Sequence, residues 1–123
     1  MKISEAESKV LEAFWRADEP LSAEDVVAAM DNDREWSAGT IRTFLTRLVK
    51  KKALGAEPDG RRYLYRALIP REDYVHKQSR DLIDRLFGGR IAPFITQFSE
   101  RQRLSRDEIE ELKRLVERLD HDR

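Results

Sequence analysis

Between positions 40 and 50 the chain sets Thr40, Arg42, Thr43, Thr46, Arg47 and Lys50 among the apolar residues Ile41, Phe44, Leu45, Leu48 and Val49. Guanidinium and ammonium groups make charge-assisted hydrogen bonds to phosphate oxygens and guanine edges, while short hydroxyls beside Gly39 permit close approach to a groove. This is recognition chemistry for a polyanion and breaks no covalent bond. A second basic group, Arg61-Arg62, follows the turn pair Asp59-Gly60. Covalent chemistry has no comparable set. The absence of cysteine removes disulfides, zinc-thiolate sites, thiol redox sensing and cysteine nucleophiles. His76 and His121 lie far apart, and no H-E-x-x-H, G-x-S-x-G or glycine-rich phosphate loop occurs. The carboxylates fall at helix starts or pair with basic residues one turn on, as Glu110 does with Arg114. No catalytic residue, metal ligand or cofactor is expected.

The elements that must carry the basic residues follow from apolar period and capping. Val10, Leu11, Phe14 and Trp15 share one helical stripe, and Ser4 with Glu7 forms a capping box, which predicts a helix from about Ser4 to Ala17. Asp18-Glu19-Pro20 ends it. Ser22 caps a second helix, stapled by Leu21 and Val26, that ends near Met30 before the polar stretch 31 to 35. Ser37 caps a third, with Trp36 and Ile41 at the staple positions, extending to about Lys51. Burying Ile41, Phe44, Leu45, Leu48 and Val49 turns Gly39, Thr43, Thr46 and Lys50 outward, with Thr40, Arg42 and Arg47 on the flanks. That outer face contains no carboxylate. Residues 54 to 66 read as a β-hairpin with a basic tip, in which Pro58 fits only an edge strand. Three helices and a hairpin predict a winged helix-turn-helix, mainly α with a small β-hairpin wing.

The charge balance supports the reading once it is resolved along the chain. Overall it is neutral, with 24 basic and 24 acidic residues in 123. Residues 1 to 36 hold 4 basic and 10 acidic side chains, whereas residues 37 to 66 hold 8 basic and 2 acidic. A basic patch is hidden in the average. The start lacks the apolar stretch of a signal peptide, and the longest apolar run, Val26 to Met30, is far too short for a membrane span, so a cytoplasmic protein is expected. One alternative stays open, a winged helix that has become a protein-interaction module with its acidic first two helices as docking face.

Residues 70 to 123 carry 12 charges of each sign and a different pattern. A helix from Pro70 leads into Leu82, Ile83, Leu86 and Phe87, Gly88-Gly89 interrupts it, and Ile91, Phe94, Ile95 and Phe98 recur at helical spacing. A last helix, capped by Ser105 with Glu108, places Ile109, Leu112, Val116 and Leu119 at the a and d positions of two heptads. Thin helices of this length cannot close a core alone. They can pack back on the winged part or on a second copy. The charge on their other faces leaves only narrow apolar stripes, which favours a homodimer, with domains 1–69 for DNA and 70–123 for dimerisation.

Several stretches together resemble the BlaI/MecI family of penicillinase repressors. They are Ile3-Ser4-Glu5-Ala6-Glu7, Asp33-Arg34-Glu35-Trp36, Thr40-Ile41-Arg42-Thr43, Arg47-Leu48-Val49-Lys50-Lys51 and Gly60-Arg61-Arg62-Tyr63-Leu64-Tyr65, then Leu86-Phe87-Gly88-Gly89 and Leu104-Ser105 through Leu112. The resemblance implies a winged-helix domain reading two-fold symmetric operator DNA, a helical dimerisation domain, and repression of β-lactamase or related genes. It also implies a membrane-bound sensor metalloprotease that cuts in the dimerisation region, where Gln97-Phe98 stands in place of the family's Asn-Phe pair. Copper-sensing relatives use cysteines that this chain lacks. Ala53 replaces a usual glycine, which predicts that the third helix ends without a left-handed glycine cap.

Overall fold

The computed structural model describes residues 2–30 and 36–123, so the polar stretch 31 to 35 lies outside the described residues. Six helices and a small sheet follow the order α1 (Glu5–Ala17), β1 (Leu21–Ser22), α2 (Ala23–Met30), α3 (Ala38–Lys50), β2 (Leu54–Asp59), β3 (Arg62–Ala67), α4 (Arg71–Phe87), α5 (Ile91–Arg101) and α6 (Arg106–His121). They form two compact units, Met1–Lys77 and Gln78–Arg123.

In the first unit the helix starts are the ones the caps predict. The Ser4 N–H donates to Glu7 Oε1 (2.8 Å) and the Glu7 N–H to Ser4 Oγ (3.1 Å). Ser22 and Asp25 make the same reciprocal pair at 3.0 and 3.1 Å, a box closed by aspartate. The Thr40 N–H donates to Ser37 Oγ at 3.1 Å. Each cap satisfies donors that the first helical turn leaves free, at about 1 kcal/mol apiece.

Val10, Leu11, Val26, Ile41, Leu45, Leu48 and Leu54 lose essentially all solvent contact in one core between α1, α2, α3 and the sheet. Trp36 packs edge-on against Phe44, centroids 5.0 Å apart, and covers the start of α3.

The end of α3 has no glycine cap, as Ala53 leads one to expect, but it is left-handed all the same. The left-handed residue is Lys52, with φ +64°, and Ala53 is fully buried. The Ala53 N–H donates to Leu48 O (2.9 Å) and the Lys52 N–H to Val49 O (3.0 Å), the two bonds of a Schellman cap, with Leu48 and Ala53 as its buried apolar contact. A lysine thus occupies the position that glycine fills without strain.

The sheet order is β1-β3-β2, all antiparallel. Strand β1 was not foreseen, because two residues are too few for a period; Leu21 pairs with Tyr65 and Ser22 with Leu64. Pro58 lies on edge strand β2, as its missing N–H requires. The hairpin turn sits one residue beyond the expected Asp59-Gly60: Asp59 pairs with Arg62, leaving Gly60-Arg61 as the loop. Gly60 has φ +65° and Arg61 is not among the positive-φ residues, the requirement of a type II′ turn.

The first turns of α4 belong to this unit. Trp15 Nε1 donates to Ile69 O (2.8 Å), the Trp15 and Tyr74 rings lie 5.5 Å apart, and Arg71 pairs with Glu12 at 3.0 Å. These contacts group residues 71 to 77 with the winged unit, beyond the expected boundary at 69/70.

In the second unit α4 ends at Gly88 and Gly89, both with positive φ, and the Gly89 N–H closes on Ile83 O at 3.1 Å. Phe94 lies 5.6 Å from Phe87 and 6.4 Å from Phe98. The Ser105 hydroxyl accepts from the Glu108 N–H at 3.1 Å, the hydroxyl arm of the expected box.

Candidate nucleic-acid interface

Helix α3 buries Ile41, Leu45 and Leu48, half-buries Phe44 and Val49, and exposes Arg42, Thr43, Thr46, Arg47 and Lys50, with Thr40 half-buried at its start. The structure therefore brings all six helix residues predicted for the site onto one outer face. Local hydrogen bonds fix the hydroxyls. Thr43 Oγ1 donates to Gly39 O (3.1 Å) and Thr46 Oγ1 to Arg42 O (3.0 Å), while the Thr40 and Ser37 hydroxyls share a bond of 3.0 Å.

The expectation that this face has no carboxylate holds for the helix alone. Glu24 of α2 places Oε1 3.1 Å from Arg42 Nη2. The wing shows the same arrangement: Arg62 pairs with Asp59 at 3.3 Å and Arg66 with Glu57 at 3.3 Å, all four side chains exposed. Arg47, Lys50 and Arg61 have no carboxylate partner among the described residues. Glu24 was missed because eighteen residues separate it from Arg42, and no short-range pattern connects them. Tyr63, on β3 beside the basic tip, is 54% exposed.

The residues predicted for dimerisation divide between packing and exposure. Ile83 is buried, and Leu82, Phe87, Phe94 and Leu112 are half-buried. Leu86, Ile91, Ile95, Phe98, Ile109, Val116 and Leu119 are exposed, Val116 at 61% and Leu119 at 59%. Leu104, Ile109, Leu112 and Val116 line an open apolar recess of about 420 Å³ on α6. Leu104 and Leu115 extend this apolar surface beyond the predicted set. Gln97 and Phe98 lie exposed on α5.

Among the described residues no cluster of histidines and carboxylates could hold a metal ion, and no helix is long and apolar enough to cross a membrane.

Capped helices, a third helix with a polar outer face, and a basic hairpin define a winged-helix protein of the kind found in transcriptional repressors. The chain belongs to the penicillinase repressor family, whose model matches residues 3–118. It is 33% identical over 115 residues to the methicillin resistance regulatory protein MecI of Mammaliicoccus sciuri, covering 94% of this chain and 93% of that protein. It is 32% identical over 116 residues to the penicillinase repressor of Bacillus licheniformis, covering 94% and 90%. The solution structure of Bacillus licheniformis BlaI, a monomeric form in complex with the blaP half-operator, superposes with a TM-score of 0.52 at 34% identity, covering 60% of this chain and 89% of that one.

Proposed function

We propose that this chain is a homodimeric transcriptional repressor that works in the cytoplasm on double-stranded operator DNA of two-fold symmetry. Its targets are β-lactamase-type or related genes, and repression ends when the dimer is lost. The observation that carries the reading is the outer face of α3, where three basic side chains and three threonines stand opposite a buried apolar stripe. In this reading α3 enters the major groove with Thr40, Arg42, Thr43, Thr46 and Arg47 at base edges and flanking phosphates, while Lys50, Arg61 and Arg62 contact the backbone. The half-operator in the BlaI complex supports the same class of partner here.

Dimerisation rests on the apolar side chains that α5 and α6 leave in water, since a second copy covers such stripes with an isologous interface. Residues 70–123 serve this role and residues 1–69 the reading of DNA. No catalytic step is assigned to the chain. Release by a membrane-bound sensor metalloprotease would cut Gln97-Phe98, which first requires local unwinding of α5. The cut separates Ile109, Leu112, Val116 and Leu119 from the rest of the subunit and removes much of the apolar contact area. An immunoblot after exposure to a β-lactam tests this route, and full-length protein persisting while the target gene is induced rules it out.

The experiment for the central reading is selection of binding sites from randomised duplex DNA by the full-length protein. Inverted repeats should be enriched, with half-sites about one helical turn or a small multiple apart. No enrichment, or enrichment of single asymmetric sites, rejects it.

A further inference from the structure

Glu24 stands at the start of α2, yet its carboxylate lies 3.1 Å from the Arg42 guanidinium on the outer face of α3. Its neighbour Asp25 is committed to the cap, accepting from the Ser22 N–H at 3.0 Å. The Glu24 carboxylate faces solvent, its own backbone N–H and then Arg42 keep it ionised below the ordinary range, and Ser22 adds to this. Both partners of the ion pair are exposed, and exposed pairs add little to stability. The pair does change the state of the guanidinium. Arg carries five N–H donors in a rigid plane; Glu24 accepts from one Nη2 hydrogen, which orients the plane and leaves the second Nη2 hydrogen and the N–H parallel to it as one fork with no acceptor among the described residues. A phosphate must compete with the carboxylate already in place, whereas a guanine edge can use the remaining fork. Near any duplex Glu24 also adds repulsion, offset only where Arg42 finds its base.

We propose that Glu24 is a positioning residue that sets sequence specificity, holding Arg42 for base-edge contact and weakening attachment to DNA of the wrong sequence. The inference rests on the operator-reading function above. Specificity arises as a difference between two affinities, and a carboxylate that lowers the non-cognate one more than the cognate one increases it.

The test uses the full-length protein and its variants Glu24→Gln, Glu24→Asp, Arg42→Ala and the Glu24→Gln/Arg42→Ala double. Fluorescence anisotropy follows two duplexes over a salt series: one selected by the wild type from a randomised library, and one of equal composition in scrambled order. Circular dichroism should be unchanged, since the pair is exposed. Glu24→Gln should bind the scrambled duplex more tightly and the selected one by less, lowering their affinity ratio about fivefold or more. The slope of log affinity against log salt on the scrambled duplex should steepen by about one per subunit. Glu24→Asp should recover part of the ratio, and Glu24→Gln should leave it unchanged once Arg42 is alanine. Equal tightening on both duplexes, or the same fall in ratio without Arg42, overturns the proposal. A wild type that does not discriminate between the duplexes overturns the operator reading, and this inference with it.

Discussion

Lys51, the C-terminal cap of α3, reaches across to Glu7 on α1 with Nζ 2.5 Å from Oε1, and the same ammonium donates to Lys2 O at 2.8 Å. Glu7 is 2% exposed and also closes the Ser4 capping box. One carboxylate therefore fastens the start of α1 to the end of the helix that carries the basic outer face.

Burial alone would raise the Glu7 carboxyl pKa, but the Lys51 ammonium and the Ser4 N–H and hydroxyl outweigh it and hold it below the ordinary value of 4.5. A carboxyl with a lowered folded pKa contributes stability above its unfolded pKa and loses it as pH falls through the folded one. Lys51→Ala leaves Glu7 buried with only the Ser4 donors and no opposite charge. It should cost about 2–3 kcal/mol at neutral pH and move acid unfolding to higher pH, measured by urea denaturation across a pH series.

Lys52→Gly should stabilise the protein by about 0.5–1 kcal/mol, because glycine adopts the φ of +64° at C′ without strain. Lys52→Asn should give part of the gain and Lys52→Val a loss. Thermal unfolding of the three variants checks the order.

A fragment ending at Lys77 should be more stable than one ending at Ile69, by about 1–2 kcal/mol. The longer one keeps the Tyr74 ring against Trp15 and the Arg71–Glu12 pair. Denaturant midpoints of the two fragments decide it.

Leu112→Asp and Val116→Glu place a charge in the proposed dimer seam. Sedimentation should show monomers where the wild type is dimeric, and operator affinity should fall about 10²-fold or more through loss of the second half-site. Val116 is exposed, so its variant keeps the fold of the subunit. A Val116→Glu dimer of wild-type affinity would remove α6 from the interface.

If a dimer engages roughly 6–10 phosphates, affinity should drop about 10³- to 10⁵-fold between about 50 and 200 mM salt. Arg61→Ala should weaken all sequences alike and flatten this dependence, since Arg61 sits on the hairpin turn with no carboxylate partner among the described residues. A salt-independent affinity contradicts phosphate contact altogether.

What the sequence made legible was whatever depends on neighbours within a turn or two. Ser4, Ser22, Ser37 and Ser105 mark the helix starts because capping is local, and the Ile41, Leu45, Leu48 stripe orients α3 because its period is intrinsic. Strand β1 escaped because its two residues take their conformation from β3 across the sheet. Lys52 escaped because its left-handed φ follows from the Schellman bonds rather than from its residue type. The pairing of Arg42 with Glu24 escaped for a third reason: it depends on how α2 packs against α3.

If α3 reads DNA as proposed, the hydroxyl bonds of Thr43 and Thr46 bear on the letters it would prefer. Their hydrogens point back into the helix, to Gly39 O and Arg42 O, so toward a groove the two side chains offer methyl carbon and oxygen lone pairs. Neither can donate to guanine or phosphate without breaking its own helix bond. The thymine 5-methyl group and the amino groups of adenine and cytosine are the features such a surface fits. The centre of α3 is thus suited to A·T pairs, with arginines suited to guanine on either side. Deoxyuridine placed opposite these threonines, with its base pairing intact, would be read as a mutation.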